Sequence, residues 1–195
     1  MITARYGIPS ASPGAMFREE RAAGTELGIA AEQLTRHGKL VPDELVCSVV
    51  AAWLKTHDGS FLLDGFPRSL GQAGALAAML EKRGTPLDVA ILLEADFKTI
   101  SKRVESRVVC TQCGANFSRG WHVADETSGC PKCSGKLSRR SDDNSETLQL
   151  RMQEYRDKTE PLVAHYRHLG LLKAVDSTRA PDLVFASIVN ILEGQ

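Results

Sequence analysis

The chain has no tract of about 20 apolar residues, the length a bilayer-spanning helix needs, and its N-terminus lacks a basic-then-apolar leader. These absences lead us to expect a cytoplasmic protein with no membrane partner. Charge of one sign is also missing. The 24 acidic and 24 basic residues balance, which argues against a nucleic-acid binder working through bulk charge and against an electrostatic lipid anchor. A small-molecule partner is expected instead. There is no internal repeat and no low-complexity tract. Nor are the cysteines spread as a disulfide framework: four of the five form two Cys-x-x-Cys pairs. In a reducing compartment that pattern points to metal ligation and leaves Cys47 alone, expected in the core. With 195 residues, the chain is long enough for one full core and a small insert.

The first hundred residues alternate helical patterns with short apolar runs, the habit of a parallel sheet with crossover helices. A strand is expected near 8–11, and helices near 14–23 and 28–37. A further helix starts at Pro42, with Leu45, Val46, Val49, Val50 and Trp53 on one apolar stripe. Strands at 61–63, 89–93 and 171–175 alternate with helices at 70–82, 97–107 (capped by Asp96) and 181–193. Helical pattern resumes at Ser145, and Pro161 predicts a kink or a fresh start. The expected domains are a core over 1–107 that includes a helical arm at about 12–41, an insert over 108–138, and a core completed by 139–195.

In FLLDGFPRSLGQAG the apolar run 61–63 ends at Asp64, and the chain turns at Gly65 and Pro67, leaving Arg68 at the edge of a helix. Open α/β sheets bind ligands at such strand ends. A guanidinium there grips a carboxylate or phosphate through two parallel charge-assisted hydrogen bonds. A solvated surface arginine is the plainer alternative.

The insert reads CTQCGANFSRGWHVADETSGCPKC, with sixteen residues between its cysteine pairs. Cys110, Cys113, Cys130 and Cys133 offer four thiolates, the donor set of a closed, structural tetrahedral zinc site. Such ligation is worth about 10–16 kcal/mol in small peptides, enough to fold an insert expected to have almost no core. His122 is surplus to the set. The alternative of two redox pairs lacks a thioredoxin-like setting.

RYGIPSASPGAMFR, GTELG, GKLVPDELV, FLLDGFPRSLGQA, the four-cysteine insert and RRSDDNSETLQLRMQEYRDKTEPLVAHY, in order over almost the whole chain, together resemble the adenylate kinase family. The likeness is strongest to its bacterial long form with a zinc-bearing lid. The resemblance implies an α/β fold of the P-loop NTPase class, nucleoside monophosphate kinase type, with a parallel sheet, crossover helices and a small zinc-binding lid. It implies transfer of the terminal phosphate of MgATP to AMP, giving two ADP, by a monomer. Arg18 and Arg68 would grip the AMP phosphate, Gln72 would read the adenine edge, and Lys39, Leu40 and Val41 with Gly65, Phe66, Pro67 and Arg68 would line the AMP site. Arg103, Arg107, Arg140 and Arg151 would surround the transferring phosphate, the first two also on the ATP side and the last two also on the AMP side. Asp64 would orient water on magnesium. Asn116 and Phe117 match a lid stretch that covers ATP, and Arg179 falls near ATP. Two polyanions held in line while their charge is neutralised call for such a ring of arginines. Asp142 and Asp143 are assigned to the lid hinge.

Three departures from the family pattern stand out. The phosphate-cradling stretch G-x-x-x-x-G-K-[ST] does not occur in these 195 residues. MITARYGIP matches the end of the helix that follows that loop, and the central strand before the loop, which lies between those matching 61–63 and 89–93, has no counterpart. Two sheet edges are therefore expected to lack partners. Pro13 and Ala15 stand where many members have threonine and aspartate, so the threonine contact to AMP is lost, and Val108 replaces a second arginine after Arg107. Three readings compete: an adenylate kinase whose recorded chain begins at an internal methionine, a relative that binds AMP or a protein partner without catalysis, and a zinc-ribbon module for nucleic acid that leaves the rest of the chain unexplained.

Overall fold

Short parallel strands and the helices that cross between them frame the computed structural model, which describes residues 1–36, 41–140 and 143–194. Lys39, Leu40 and Asp142 lie outside the described residues. α1 (Ile2–Tyr6) ends at Gly7, whose φ of 64° gives a left-handed cap. β1 (Ser10–Ala11), α2 (Pro13–Ala22) and α3 (Glu26–Arg36) follow. Pro13 takes the first position of α2, where its missing N–H has no helical partner to lose.

Next come α4 (Asp43–Lys55), β2 (Leu62–Leu63), α5 (Leu70–Arg83), β3 (Ala90–Glu94) and α6 (Phe97–Ser106). The insert holds β4 (Arg107–Cys110), β5 (Asn116–Ser118) and β6 (Leu137–Ser138). The chain continues through α7 (Ser145–Glu154), a π-helical turn at Tyr155–Thr159, α8 (Glu160–His168), β7 (Leu172–Asp176) and α9 (Pro181–Leu192). Side-chain caps start several of the helices: Thr25 Oγ1 accepts from the Gly28 N–H at 3.1 Å, Ser69 from Gln72 at 3.1 Å, Asp96 from Thr99 at 2.6 Å and Asn144 from Thr147 at 2.8 Å.

β1 pairs in parallel with β2, Ser10 opposite Leu62 and Ala11 opposite Leu63. β3 pairs in parallel with β7, from Ala90 opposite Leu172 to Glu94 opposite Asp176. Among the described residues the two pairs remain separate sheets.

The main core gathers Phe17, Ala31, Val41, Val46, Val50, Leu54, Phe66, Leu76 and Leu80 from α2 to α5. Burying each large aliphatic side chain contributes about 1.5–3 kcal/mol. On α4 the fully buried row is Val46, Val50 and Leu54, spaced by one helical turn. Val49, Trp53 and Cys47 pack only half-buried beside it, and Leu45 is 39% exposed. The buried stripe is thus turned away from the expected Leu45 edge, and Cys47 sits at the rim of the core. A second cluster of Ala73, Leu162 and Tyr166 seats α5 and α8 against β3 and β7.

The insert forms an antiparallel sheet in the order β5-β4-β6. It is better filled than expected: Val108, Cys110, Phe117, Val123, Cys130 and Leu137 make a cluster of their own. Val108 is fully buried opposite Phe117, so an arginine there would place a charge inside this small core. No helix among the described residues is long and apolar enough to cross a membrane.

Candidate active site and metal centre

The loop after β2 is built around Arg68. Asp64 is exposed, its backbone N–H bonded to the Ala11 carbonyl at 2.8 Å. Gly65 turns at φ 70°, a conformation that favours glycine, and a Cβ there would lie 2.9 Å from an Arg68 guanidinium nitrogen and push that side chain aside. Arg68 Nε donates to the Gly65 carbonyl at 2.8 Å, and the Arg68 carbonyl accepts from Thr159 Oγ1 at 2.9 Å. The π-helical turn that carries Thr159 therefore braces the Arg68 loop. Phe66 turns its ring into the core, as does the Val41 side chain, whereas Gly65, Pro67 and Arg68 keep accessible surface.

Burial lowers the Arg68 pKa, and the nearby positive charge of Arg151 lowers it further, while Asp64 opposes. Two guanidiniums held close enough to repel make a place where an anion is stabilised. Arg151 stands 3.9 Å from Asp143 Oδ1. Arg107 donates to both oxygens of the same carboxylate, Nε to Oδ2 at 2.8 Å and Nη2 to Oδ1. The Asp143 side chain has no exposed surface. Its backbone N–H bonds the Arg140 carbonyl at 3.2 Å, and Arg140 reaches across the insert to Asn116 Oδ1. Arg68, Arg107, Arg140 and Arg151 are thus brought into one connected group with Asp143 at its centre.

Other expected site residues sit apart from that group. Arg103, on α6, donates to the Ser177 carbonyl just past β7, and Arg179 lies in the same loop. Arg18 on α2 lies over Gly14, where a Cβ would be 3.3 Å from its Nη1. Asn116 is exposed, but the Phe117 ring faces the interior of the insert. Gln72 is 2% exposed, with its amide engaged at both ends: Nε2 donates to Asp43 Oδ1 at 2.7 Å and Oε1 accepts the Arg68 backbone N–H at 2.7 Å. In this arrangement it presents no open amide edge for a base. Asp43 and Asp143 are the two site residues that sequence reasoning undervalued, one read as a favourable helix-start charge and the other as hinge.

The four cysteine sulfurs all lie within 4.8 Å of one another. Cys110 and Cys133 are 3.5 Å apart and Cys113 and Cys130 3.7 Å. Tetrahedral zinc with sulfurs at about 2.3 Å sets them about 3.8 Å apart, so the donor set fits a metal ion. The two turns match: the Gly114 N–H bonds the Cys110 carbonyl at 3.0 Å and the Ser134 N–H bonds the Cys130 carbonyl at 2.8 Å. Gly114 and Ser134 occupy the same left-handed position at φ 67° and 58°. In the second turn glycine is needed one residue later, since a Cβ on Gly135 would come within 3.0 Å of Cys110 Sγ. Backbone N–H groups aimed at sulfur, that of Cys113 foremost, pull the Cys110 thiol down to about 6, while Cys133, against the pull of the Gly135 N–H, is pushed up to about 12 by the neighbouring cysteines, so a metal ion bound by all four must displace the proton that Cys133 holds.

A family model described as adenylate kinase matches residues 1–171. The adenylate kinase of Thermodesulfovibrio yellowstonii is 40% identical over 194 residues, covering 98% of this chain and 90% of that protein. That of Archaeoglobus fulgidus is 40% identical over 194 residues, with 98% and 89% covered. That of Methanosarcina barkeri is 38% identical over 190 residues, with 96% and 88% covered.

Proposed function

The chain belongs to the adenylate kinase family of nucleoside monophosphate kinases, and from that premise we propose how its arginines divide the work of moving a phosphate from ATP to AMP. Arg68 and Arg18 hold the AMP phosphate. Arg107, Arg140 and Arg151 surround the phosphate in transfer, and Arg103 and Arg179, beside the end of β7, serve the ATP side with Asn116 of the lid, while the Phe117 ring fills the insert's own core. The convergence of Arg107 and Arg151 on the buried Asp143 carboxylate, with the Arg140 carbonyl bonded to its backbone, is the observation that carries this reading: several guanidiniums around one carboxylate leave positive charge that a polyanion neutralises. Magnesium bound with ATP would supply further charge neutralisation, with Asp64 positioned to hold its water. Gly65, Pro67 and Arg68, which keep accessible surface, line the AMP side.

The four-cysteine site holds zinc as a closed structural ion, a reading supported by the all-thiolate donors and their spacing. Such a thiol site suits the reducing cytoplasm. We read the protein as a monomer with ATP, AMP and ADP as its ligands. Calorimetry with AMP tests the arginine assignment. Arg68→Ala should weaken binding by about 1.5–3 kcal/mol, the usual range for hydrogen bonds to charged groups; unchanged affinity overturns it.

A further inference from the structure

α7 and α8 would run on as one helix but for the π-helical turn at Tyr155–Thr159 between them. Pro161 has no N–H to give the Asp157 carbonyl four residues back, and the chain widens there instead, the Glu160 N–H bonding the Tyr155 carbonyl. Bonding i to i+5 winds fewer degrees per residue than an α-helix does. At about 3.6 residues per turn, a regular helix would set Thr159 about 80° round the axis from Arg151; the slack turn carries it back toward the Arg151 face. A helical threonine hydroxyl can fold back on the carbonyl four residues before it. The Thr159 hydroxyl instead donates to the Arg68 carbonyl at 2.9 Å, across 91 positions. That carbonyl lies ahead of the α5 ladder, whose opening bond runs from the Ala73 N–H to the Ser69 carbonyl at 3.0 Å, so a donor from another element suits it.

Arg151 and Thr159 thus address Arg68 from one helical run: the first brings a positive charge near its guanidinium, and the second holds its carbonyl. The side chain is held as well, by the bond from Nε to the Gly65 carbonyl at 2.8 Å. We propose that Thr159 is a positioning residue for this arginine pair: its hydroxyl ties the helix that carries Arg151 to the loop that carries Arg68, and so sets how far apart the two guanidiniums stand when a phosphate enters between them. Thr159 itself touches neither nucleotide. Two guanidiniums spaced for one anion grip it through charge-assisted bonds, and a misplacement of about 1 Å is enough to forfeit much of that grip. The proposal rests on the reading that Arg68 and Arg151 hold phosphate.

Valine at 159 keeps the branch of threonine and loses the hydroxyl, serine keeps the hydroxyl, and alanine keeps neither. The experiment is NMR titration of AMP and of adenosine into the full chain and into Thr159→Val, Thr159→Ala, Thr159→Ser, Arg151→Ala, Arg68→Ala and the double variant Thr159→Val/Arg151→Ala, with each fold checked by thermal melt. Thr159→Val and Thr159→Ala should each weaken AMP about three- to tenfold, the worth of one neutral hydrogen bond. Adenosine should bind as before, and Thr159→Ser should hold AMP near the parent level. In the Arg151→Ala background the same valine should cost AMP little more, because the pair whose spacing it disturbs is already broken. AMP affinity unchanged in both hydroxyl-free variants overturns the proposal. So does a loss shared equally by AMP and adenosine, which would mark a general loosening of the fold, and so does a valine effect undiminished without Arg151. If instead Arg68→Ala leaves AMP binding unchanged, it is the phosphate reading of Arg68 that fails.

Discussion

Arg107 lays its Nε and Nη2 on the two oxygens of Asp143, whose side chain has no exposed surface while that of Arg107 keeps 28%. The pair joins β4, at the start of the insert, to the segment just ahead of α7, so one ion pair ties the two ends of the insert together.

The asymmetric burial predicts asymmetric costs. Arg107→Ala takes the two-pronged partner from a buried carboxylate, with Arg151 standing off at 3.9 Å, and should cost about 3 kcal/mol, the low end for breaking a buried pair. Asp143→Ala leaves a guanidinium that water can reach, and should cost about 1–2 kcal/mol, nearer the worth of a partly exposed pair. Urea denaturation of both variants checks this. An equal or larger loss for Asp143→Ala would mean that burial of the carboxylate is not what decides.

The metal site makes its own demand on the lid. One zinc per chain is expected after purification without chelator, and its removal should open residues 108–138 to protease before the rest of the chain, since binding energy there is folding energy. The cluster of Val108, Phe117 and Leu137 should leave the stripped lid collapsed but loosened. Metal analysis and timed proteolysis report the two halves; a lid equally resistant with and without chelator would remove the metal from its folding.

How much of this was legible beforehand follows from the range of each interaction. α5 could be read from Ser69 and the apolar period behind it, and α6 from Asp96, because caps and periodicity are local. The bond between Asp43 and Gln72 spans 29 positions, so neither residue signals the other. Asp143 looked like any acidic hinge residue, since burial depends on how Arg107 and Arg151 arrive from different elements. The π-helical turn also escaped notice: Pro161 marked a break, but the irregularity lies just before it and serves to bring Thr159 to Arg68. Val108 seemed a lost arginine until its place opposite Phe117 showed a core residue.

Acid should destabilise the fold through its capping carboxylates. Asp96 is held below its usual range by the Thr99 N–H, and Asp125 and Asp176 by the hydroxyls of Thr127 and Thr178. A depressed folded-state pKa contributes stability that is complete above the unfolded value, about 3.9 for aspartate, and is lost as pH falls through the folded one. Stability should therefore be level near neutrality with respect to these groups and decline below about pH 4. Asp96→Asn keeps an acceptor at the cap while removing its titration, so it should shrink that decline; an identical acid profile would show that Asp96 contributes nothing to it.

The divided sheet and the phosphate chemistry can be tested together. β2 pairs with β1, and β3 with β7, but among the described residues no strand joins the two sheets. Near the end of β3, Leu93 and Phe97 leave 53% and 51% of their surfaces exposed, apolar area that a neighbouring element would cover. Arginines neutralise charge but do not replace a preorganised nest of backbone amides around the ATP phosphates. The 195-residue chain alone should therefore bind AMP yet form ADP negligibly. Preceding α1 with a strand, a G-x-x-x-x-G-K-[ST] loop and the first part of its helix should raise the melting temperature and bring ATP-dependent ADP formation in the same step, because one segment supplies both a sheet partner and a phosphate cradle. A coupled ADP assay beside thermal melts of the two chains decides. Full turnover by the short chain would refute this account of ATP binding, and an extended chain that is stable but inactive would move the defect to Pro13 and Ala15 on α2.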